Sequence, residues 1–318
     1  MPTENYTSTS TASLGTSLVQ TAYDRYVEFA LRAMPLIRDV ADKRPAQQAM
    51  PGSSVVFQLY TDLSAVTGTL TETVDPDSVA LGNTSNVTVT LNEYGNAAIA
   101  TRKLELFSLS DVDPAIADII AFNMADSIDN FAQTVLRQGT NVIYSGGGST
   151  TTGVTGGAAS QITSANVRRA IAKLRANKAV PRVGELYWVG IHPEVSHDLR
   201  AETGAGGWRE AHVYNESGAG NLWPGSIGVY EGAMFVESPR LYNATDGSSG
   251  TTRVFRTLIC GKQALAEAVA EEPHVVIGPV TDKLMRFRPI GWYGVLGFSR
   301  YREASLFRIE STSSINNS

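Results

Sequence analysis

The chain has 318 residues, 42 % of them hydrophobic, enough to bury a real core in one elaborate domain or two. A formal charge of −5 and a pI near 5.5 argue against a dedicated nucleic-acid binder, which carries a clear basic excess. The single cysteine excludes an internal disulfide, and no apolar run is long enough for a membrane-spanning helix.

Residues 1–20 are rich in Ser and Thr and poor in bulky apolar side chains, so they read as an extended arm that needs a partner surface. No basic stretch precedes an apolar run there, as a secretory signal requires, and a soluble chain made in the cytoplasm is expected. Over 21–33, Tyr23, Tyr26, Val27 and Ala30 recur at helical spacing, and Pro35 marks a bend or stop.

From Met50 to about Arg102 the composition shifts to Thr, Ser, Gly, Asn and Val. Val55, Phe57 and Leu59, and again Val87, Val89 and Leu91, alternate with period two, which predicts a long two-stranded excursion. Its connecting stretch, 67–86, holds the turn formers Asp75-Pro76-Asp77 and Gly82-Asn83 and too few apolar residues for a core. An isolated hairpin is marginal in water, so the excursion is expected to lie over another subunit. Residues 51–100 contain no Lys or Arg. Basic residues gather instead at Arg168, Arg169, Lys173, Arg175 and Lys178, and again at Lys283, Arg286, Arg288, Arg300, Arg302 and Arg308. This segregation predicts contact between copies, with Asp62, Glu72, Asp75 and Asp77 on one side and Arg168, Arg169 and Lys173 as candidates on the other.

Residues 114–138 carry the strongest helical pattern. Asp111 and Asp113 are candidate N-caps, Pro114 suits the first turn, and Gly139 closes the helix. Ile116, Ile119, Ile120, Met124, Ile128, Phe131 and Val135 form one apolar stripe along a rod of roughly 35–40 Å. The glycine-rich run 145–157 reads as a flexible connection between two units. Thr163 or Ser164 then caps a second helix, with Val167, Ala170, Ile171 and Leu174 inward and Arg168, Arg169, Lys173 and Arg175 outward. A buried strand over 186–191, a short helix over 193–200, a long glycine-rich loop over 203–228 holding Trp208 and Trp223, and a tight strand pair over 228–236 follow. A strand over 253–260 ends at Cys260, and the Ala-rich stretch 261–270 predicts a helix with Ala264, Leu265 and Ala268 inward. The tail 275–309 is strand-like and is expected to return to the long helix.

Catalytic patterns are weak. His192 and His197 are five residues apart, where a helical metal pair needs three or four. His212 and His274 stand alone. Pro224 replaces the first glycine of a nucleophile elbow at Gly225-Ser226-Ile227-Gly228, and neither Gly204, Gly206 and Gly207 nor Gly261-Lys262 makes a phosphate loop. No catalytic residue, metal or cofactor is expected.

Taken in order, these features resemble the major capsid protein of tailed bacteriophages, of the Hong Kong 97 type. The resemblance rests on the helix from Asp113-Pro114 to Gly139, on Leu258-Ile259-Cys260-Gly261-Lys262-Gln263-Ala264-Leu265, and on Pro289-Ile290-Gly291-Trp292-Tyr293-Gly294 with Arg308-Ile309-Glu310. It implies an α+β fold with an N-arm (1–50), an extended E-loop (51–100), a spine-helix peripheral domain (101–158 and 278–318) and an axial domain (159–277). It also implies hexamers and pentamers of one chain in an icosahedral head around double-stranded DNA, assembled in the host bacterial cytoplasm. A separate scaffolding protein and a portal protein are implied partners, decoration proteins are left open, and no membrane is involved. Some relatives crosslink through a lysine–asparagine bond, but the E-loop here has no lysine. Two rivals are an encapsulin-like compartment, which shares this fold around an enzyme cargo, and a hydrolase using His192 or Ser226.

Overall fold

The computed structural model describes residues 35–45, 53–60, 63–75, 78–80, 85–107, 112–203, 208, 226–279, 284 and 286–315. The expected arm and the helix over 21–33 lie outside them. Chain order begins with a 3-10 turn, Arg38–Val40, then β1 (Ala41–Pro45), β2 (Ser54–Leu59), β3 (Ser85–Thr90) and β4 (Asn92–Thr101). The short α1 (Arg102–Phe107) leads to the long α2 (Val112–Leu136) and to β5 (Val142–Tyr144). Next come α3 (Ser164–Ala176), β6 (Tyr187–Ile191), α4 (Pro193–Ala201), β7 (Ser226–Tyr230), β8 (Ala233–Glu237) and β9 (Asn243–Ala244). β10 (Val254–Cys260), β11 (Leu265–Ile277), β12 (Phe287–Arg300) and β13 (Leu306–Ser311) complete the order.

Two sheets divide the work. The first has strand order β1-β11-β12-β4. Alternation along β11 places Leu265, Glu267 and Val269 on one face and Ala266 and Ala268 on the other. α2 packs on the first face, where Ile128 meets Val269 and Leu296. The β2–β3 hairpin packs on the second, where Phe57 and Val89 meet Ala266, Ala268 and Tyr301. Gly297 makes this approach possible, since a Cβ there would run into the carbonyl oxygen of Thr90.

The second sheet runs β5-β13-β10-β6-β8-β7, with β9 beside β10. One face, with Tyr187, Val189, Phe235, Phe255, Ile259 and Ile309, is covered by Val167, Ala170, Ile171 and Leu174 of α3 and Val195 and Leu199 of α4. The other, with Trp188, Met234, Val236 and Leu258, packs on Ala132 and Leu136 of α2 and on Ile37 and Val40. The long helix therefore serves both sheets.

Most expected elements are present. Thr163 caps α3, its hydroxyl accepting from the Asn166 amide at 3.3 Å. The strand pair β7–β8 turns at Glu231 and Gly232, both with positive φ (52° and 82°), as a two-residue hairpin requires.

Four expectations need correction. The Ala-rich stretch 261–270 is not a helix; from Leu265 it is β11, paired on both sides with β1 and β12. Helix propensity loses here to a ladder that satisfies the backbone from both edges, with small alanines admitting the hairpin. The glycine-rich run is not loose: it folds into 3-10 turns at Ser145–Gly147, Thr151–Gly153 and Ala158–Ser160. Buried Val154, Ser145 and Ser160 fasten it, and the Ser160 carbonyl accepts from the Thr312 amide at 2.9 Å.

The spine stripe is not purely apolar. α2 starts at Val112, so Asp113 and Pro114 lie within its first turn, and Ile119 is half exposed while Asp129 and Gln133 are buried. Finally, the tail splits. β12 returns to α2, but β13 pairs with β10 and β5 in the second sheet. β11 belongs to the first sheet.

Candidate assembly interface

Among the described residues, the β2–β3 hairpin is anchored at its root. Phe57 and Val89 are buried there, whereas beyond Leu59 the chain carries Leu63, Val66, Leu70, Val74 and Val79 at 54–87 % exposure. Five large exposed aliphatic side chains in seventeen residues form an apolar surface of the kind that marks a protein–protein contact. Of the expected acidic contacts, Glu72 and Asp75 are exposed among these aliphatics. Asp62 and Asp77 lie outside the described residues.

Arg168, Arg169 and Lys173 project from the outer face of α3, all exposed, with Lys173 also 5.9 Å above the Phe307 ring. They line a surface of the second sheet's unit, and the structure does not bring them to the loop within one chain. A second surface was not anticipated from the sequence. Ile99, Leu106, Phe107 and Ile119 are 50–79 % exposed on β4, α1 and the start of α2. Exposed Arg102 and Arg286 adjoin them, the Arg102 amide donating to the Arg286 carbonyl at 2.8 Å. The signal was available in Leu106-Phe107, a large apolar pair at the end of a six-residue helix.

His192 has structural work. It is the N-cap of α4, its Nδ1 accepting from the Glu194 amide at 3.3 Å, and its ring lies 4.8 Å from that of Phe255. Burial lowers its pKa, helped by nearby Arg253 and opposed by Glu194 and a hydrogen bond to the Pro239 backbone. A neutral imidazole with both nitrogens committed to the backbone is poorly placed as a general base. Cys260 is fully buried, and burial pushes its thiol up to about 12, so it stays protonated and unreactive. Among the described residues no three His, Cys, Asp or Glu side chains are arranged to hold a metal ion.

The chain matches the family described as phage capsid protein over residues 21–315. It belongs to that family. No curated protein matches the capsid protein by sequence. Solved structures share its fold. The capsid of Ralstonia phage GP4 aligns with a TM-score of 0.76 at 14 % identity, covering 96 % of this chain and 99 % of that one. The cyanophage Pam1 capsid gives 0.71 at 15 % identity over 95 % and 98 %. The head of Helicobacter pylori bacteriophage KHP40 gives 0.69 at 13 % identity over 98 % and 100 %. The resemblance to tailed-phage major capsid proteins is borne out, and the α+β architecture with two mixed sheets is that of a capsid fold. The capsid protein is a self-assembling structural component of a viral particle, and its role is not enzymatic.

Proposed function

We propose that this is the major capsid protein of an icosahedral phage head, forming hexamers and pentamers around double-stranded DNA in the host cytoplasm. The observation that carries the reading is the projecting loop with its exposed aliphatics, which gain burial only from a neighbour. Each such side chain contributes roughly 1.5–3 kcal/mol on full burial, so five supply a large association term per contact. In this reading residues 51–100 are the E-loop, α2 with the first sheet is the peripheral domain, and the second sheet with α3 and α4 is the axial domain. The receiving surface on the neighbour is the end formed by β4, α1 and the start of α2, which offers both apolar side chains and arginines to a loop that is apolar and acidic. Arg168, Arg169 and Lys173 are then left for an acidic partner, among which packaged DNA needs no sequence motif. Scaffolding and portal proteins complete the assembly.

Deleting residues 67–86 is expected to leave a soluble subunit that forms no closed shells by negative-stain electron microscopy. Normal shells from that deletion would sink the reading. Nuclease-protected double-stranded DNA in native particles is expected, and a tagged enzyme cargo in its place would point to a compartment.

A further inference from the structure

Along α2 and just past its end, Phe122, Asp126, Asp129, Gln133 and Arg137 follow one another at spacings of three or four and so form one mostly polar stripe. The connection 238–246, between β8 and β10, lies along it as a strap. Arg240 is its centre. Its guanidinium pairs with Asp126, its Nε stands 3.5 Å from Asp129 Oδ2, and it lies 6.0 Å from the Phe122 ring. The Arg240 carbonyl accepts from Gln133 Nε2 at 3.0 Å. One turn further, the Arg137 guanidinium sits 4.0 Å above the Tyr242 ring.

Asp129 also faces a third piece of chain. Its Oδ1 accepts the backbone amides of Ile37 at 2.6 Å and Arg38 at 3.1 Å, which start the 3-10 turn leading into β1. Arg38 spends its own guanidinium elsewhere, on Glu267 at 2.6 Å and Glu272 at 3.3 Å. Asp129 is 1 % exposed, so its carboxylate divides itself between the backbone of residues 36–38 and one arginine in a buried setting.

How well a buried carboxylate accepts depends on its charge, and the charge depends on the cation beside it. Burial pushes the Asp129 carboxyl up, the backbone amides of Ile37, Arg38 and Leu36 oppose this, and the neighbouring Asp39 adds to it. Burial likewise pushes the Arg240 guanidinium down. Arg240 Nε is the cation nearest the Asp129 carboxylate, at 3.5 Å, and Asp126 competes for the same guanidinium.

We propose that Asp129 is a coupling node: its ion pair with Arg240 sets how firmly it holds the backbone of Ile37 and Arg38, so that displacement of the 238–246 strap is transmitted through the spine helix to the N-terminal segment. Because coupling is reciprocal, loosening that segment also loosens the strap. The strap belongs to the second sheet's unit and β1 to the first sheet, so the node links the two.

Hydrogen exchange by mass spectrometry on the assembled full-length chain, at fixed pH, tests this. Arg240→Met keeps most of the packing and is expected to speed exchange at Ile37 and Arg38 on the order of tenfold. Arg137→Met removes a contact on the same stripe without touching Asp129, and exchange at Ile37 and Arg38 is expected to stay unchanged. Asp126→Asn removes the competitor for Arg240 and a like charge near Asp129, so it is expected to slow exchange there, a direction that general loosening cannot produce. Unchanged exchange in Arg240→Met, equal acceleration in Arg137→Met, or acceleration in Asp126→Asn would each overturn the node. If Arg240→Met does not fold, the sign of the Asp126→Asn effect still decides.

Discussion

Glu303 joins the end of the spine helix to the turn before β13 through a single carboxylate. It accepts from the Thr140 amide, from the Thr140 hydroxyl at 3.0 Å and from Arg300 Nε at 2.9 Å. Burial alone raises its pKa, but the two Thr140 bonds and Arg300 outweigh it, and the carboxyl sits below its ordinary value. A folded pKa below the unfolded one, about 4.3, gives stability that is present above that value and lost as pH falls through the folded pKa. Glu303→Gln is therefore expected to cost about 1 kcal/mol or less at neutral pH, discounted for its partial exposure, with the difference from wild type vanishing once the pH is below the folded pKa. Urea unfolding at the two pH values checks it, and a loss of equal size at both would contradict the ionic origin. Glu303 shares an obstacle with Asp129: its partner Thr140 is 163 positions away, and the Ile37 amide is 92 positions from Asp129. Lone acids in a polar sequence context read as solvent-facing, so neither was legible. Cys260 was, because Thr-Leu-Ile-Cys-Gly offers no solvent face and a stop at the glycine.

At the scale of elements, legibility followed how local the determining contacts are. α3 was readable because its apolar stripe and its basic outer face lie within thirteen residues and its cap immediately precedes them. β11 was misread because Ala and Glu favour a helix locally, while its fate is set by β1 from far upstream and β12 from downstream. The hairpin strands were readable from period-two alternation, but their seat on Ala266 and Ala268 was not. That seat depends on Gly297, where β3 crosses close to β12. Gly297→Val places two further methyl groups beyond a Cβ that already runs into the Thr90 carbonyl oxygen. The hairpin root must lift, at a cost of about 1–3 kcal/mol for overpacking and strain. The expected outcome is a lower thermal midpoint and faster proteolysis between β2 and β3, measured on the full-length chain. An unchanged midpoint with intact protease resistance would mean that the root is not seated on this glycine.

For the whole molecule, composition pointed to assembly before any contact was known, since one fifty-residue stretch carries acids and no Lys or Arg while basic residues cluster elsewhere. The charge pattern and the apolar pattern of the loop make different demands on a neighbour, and magnitudes separate them. Ion pairs between exposed side chains contribute about 0–1 kcal/mol and weaken with salt, whereas each buried aliphatic contributes roughly 1.5–3 kcal/mol and does not. In a shell the same contact recurs for every copy, so a modest change per contact moves the assembly threshold steeply. Leu70→Ala with Val74→Ala is expected to raise the subunit concentration needed for shells by about tenfold or more, at low and high salt alike. Glu72→Gln with Asp75→Asn should change that threshold much less and chiefly slow the approach to assembly at low ionic strength, because complementary charge acts on orientation and rate. Light scattering against subunit concentration at two salt concentrations distinguishes the pairs. A larger effect from the acid pair would mean that the loop is held by charge, and that the aliphatics between Leu63 and Val79 face solvent in the shell as they do in the single chain.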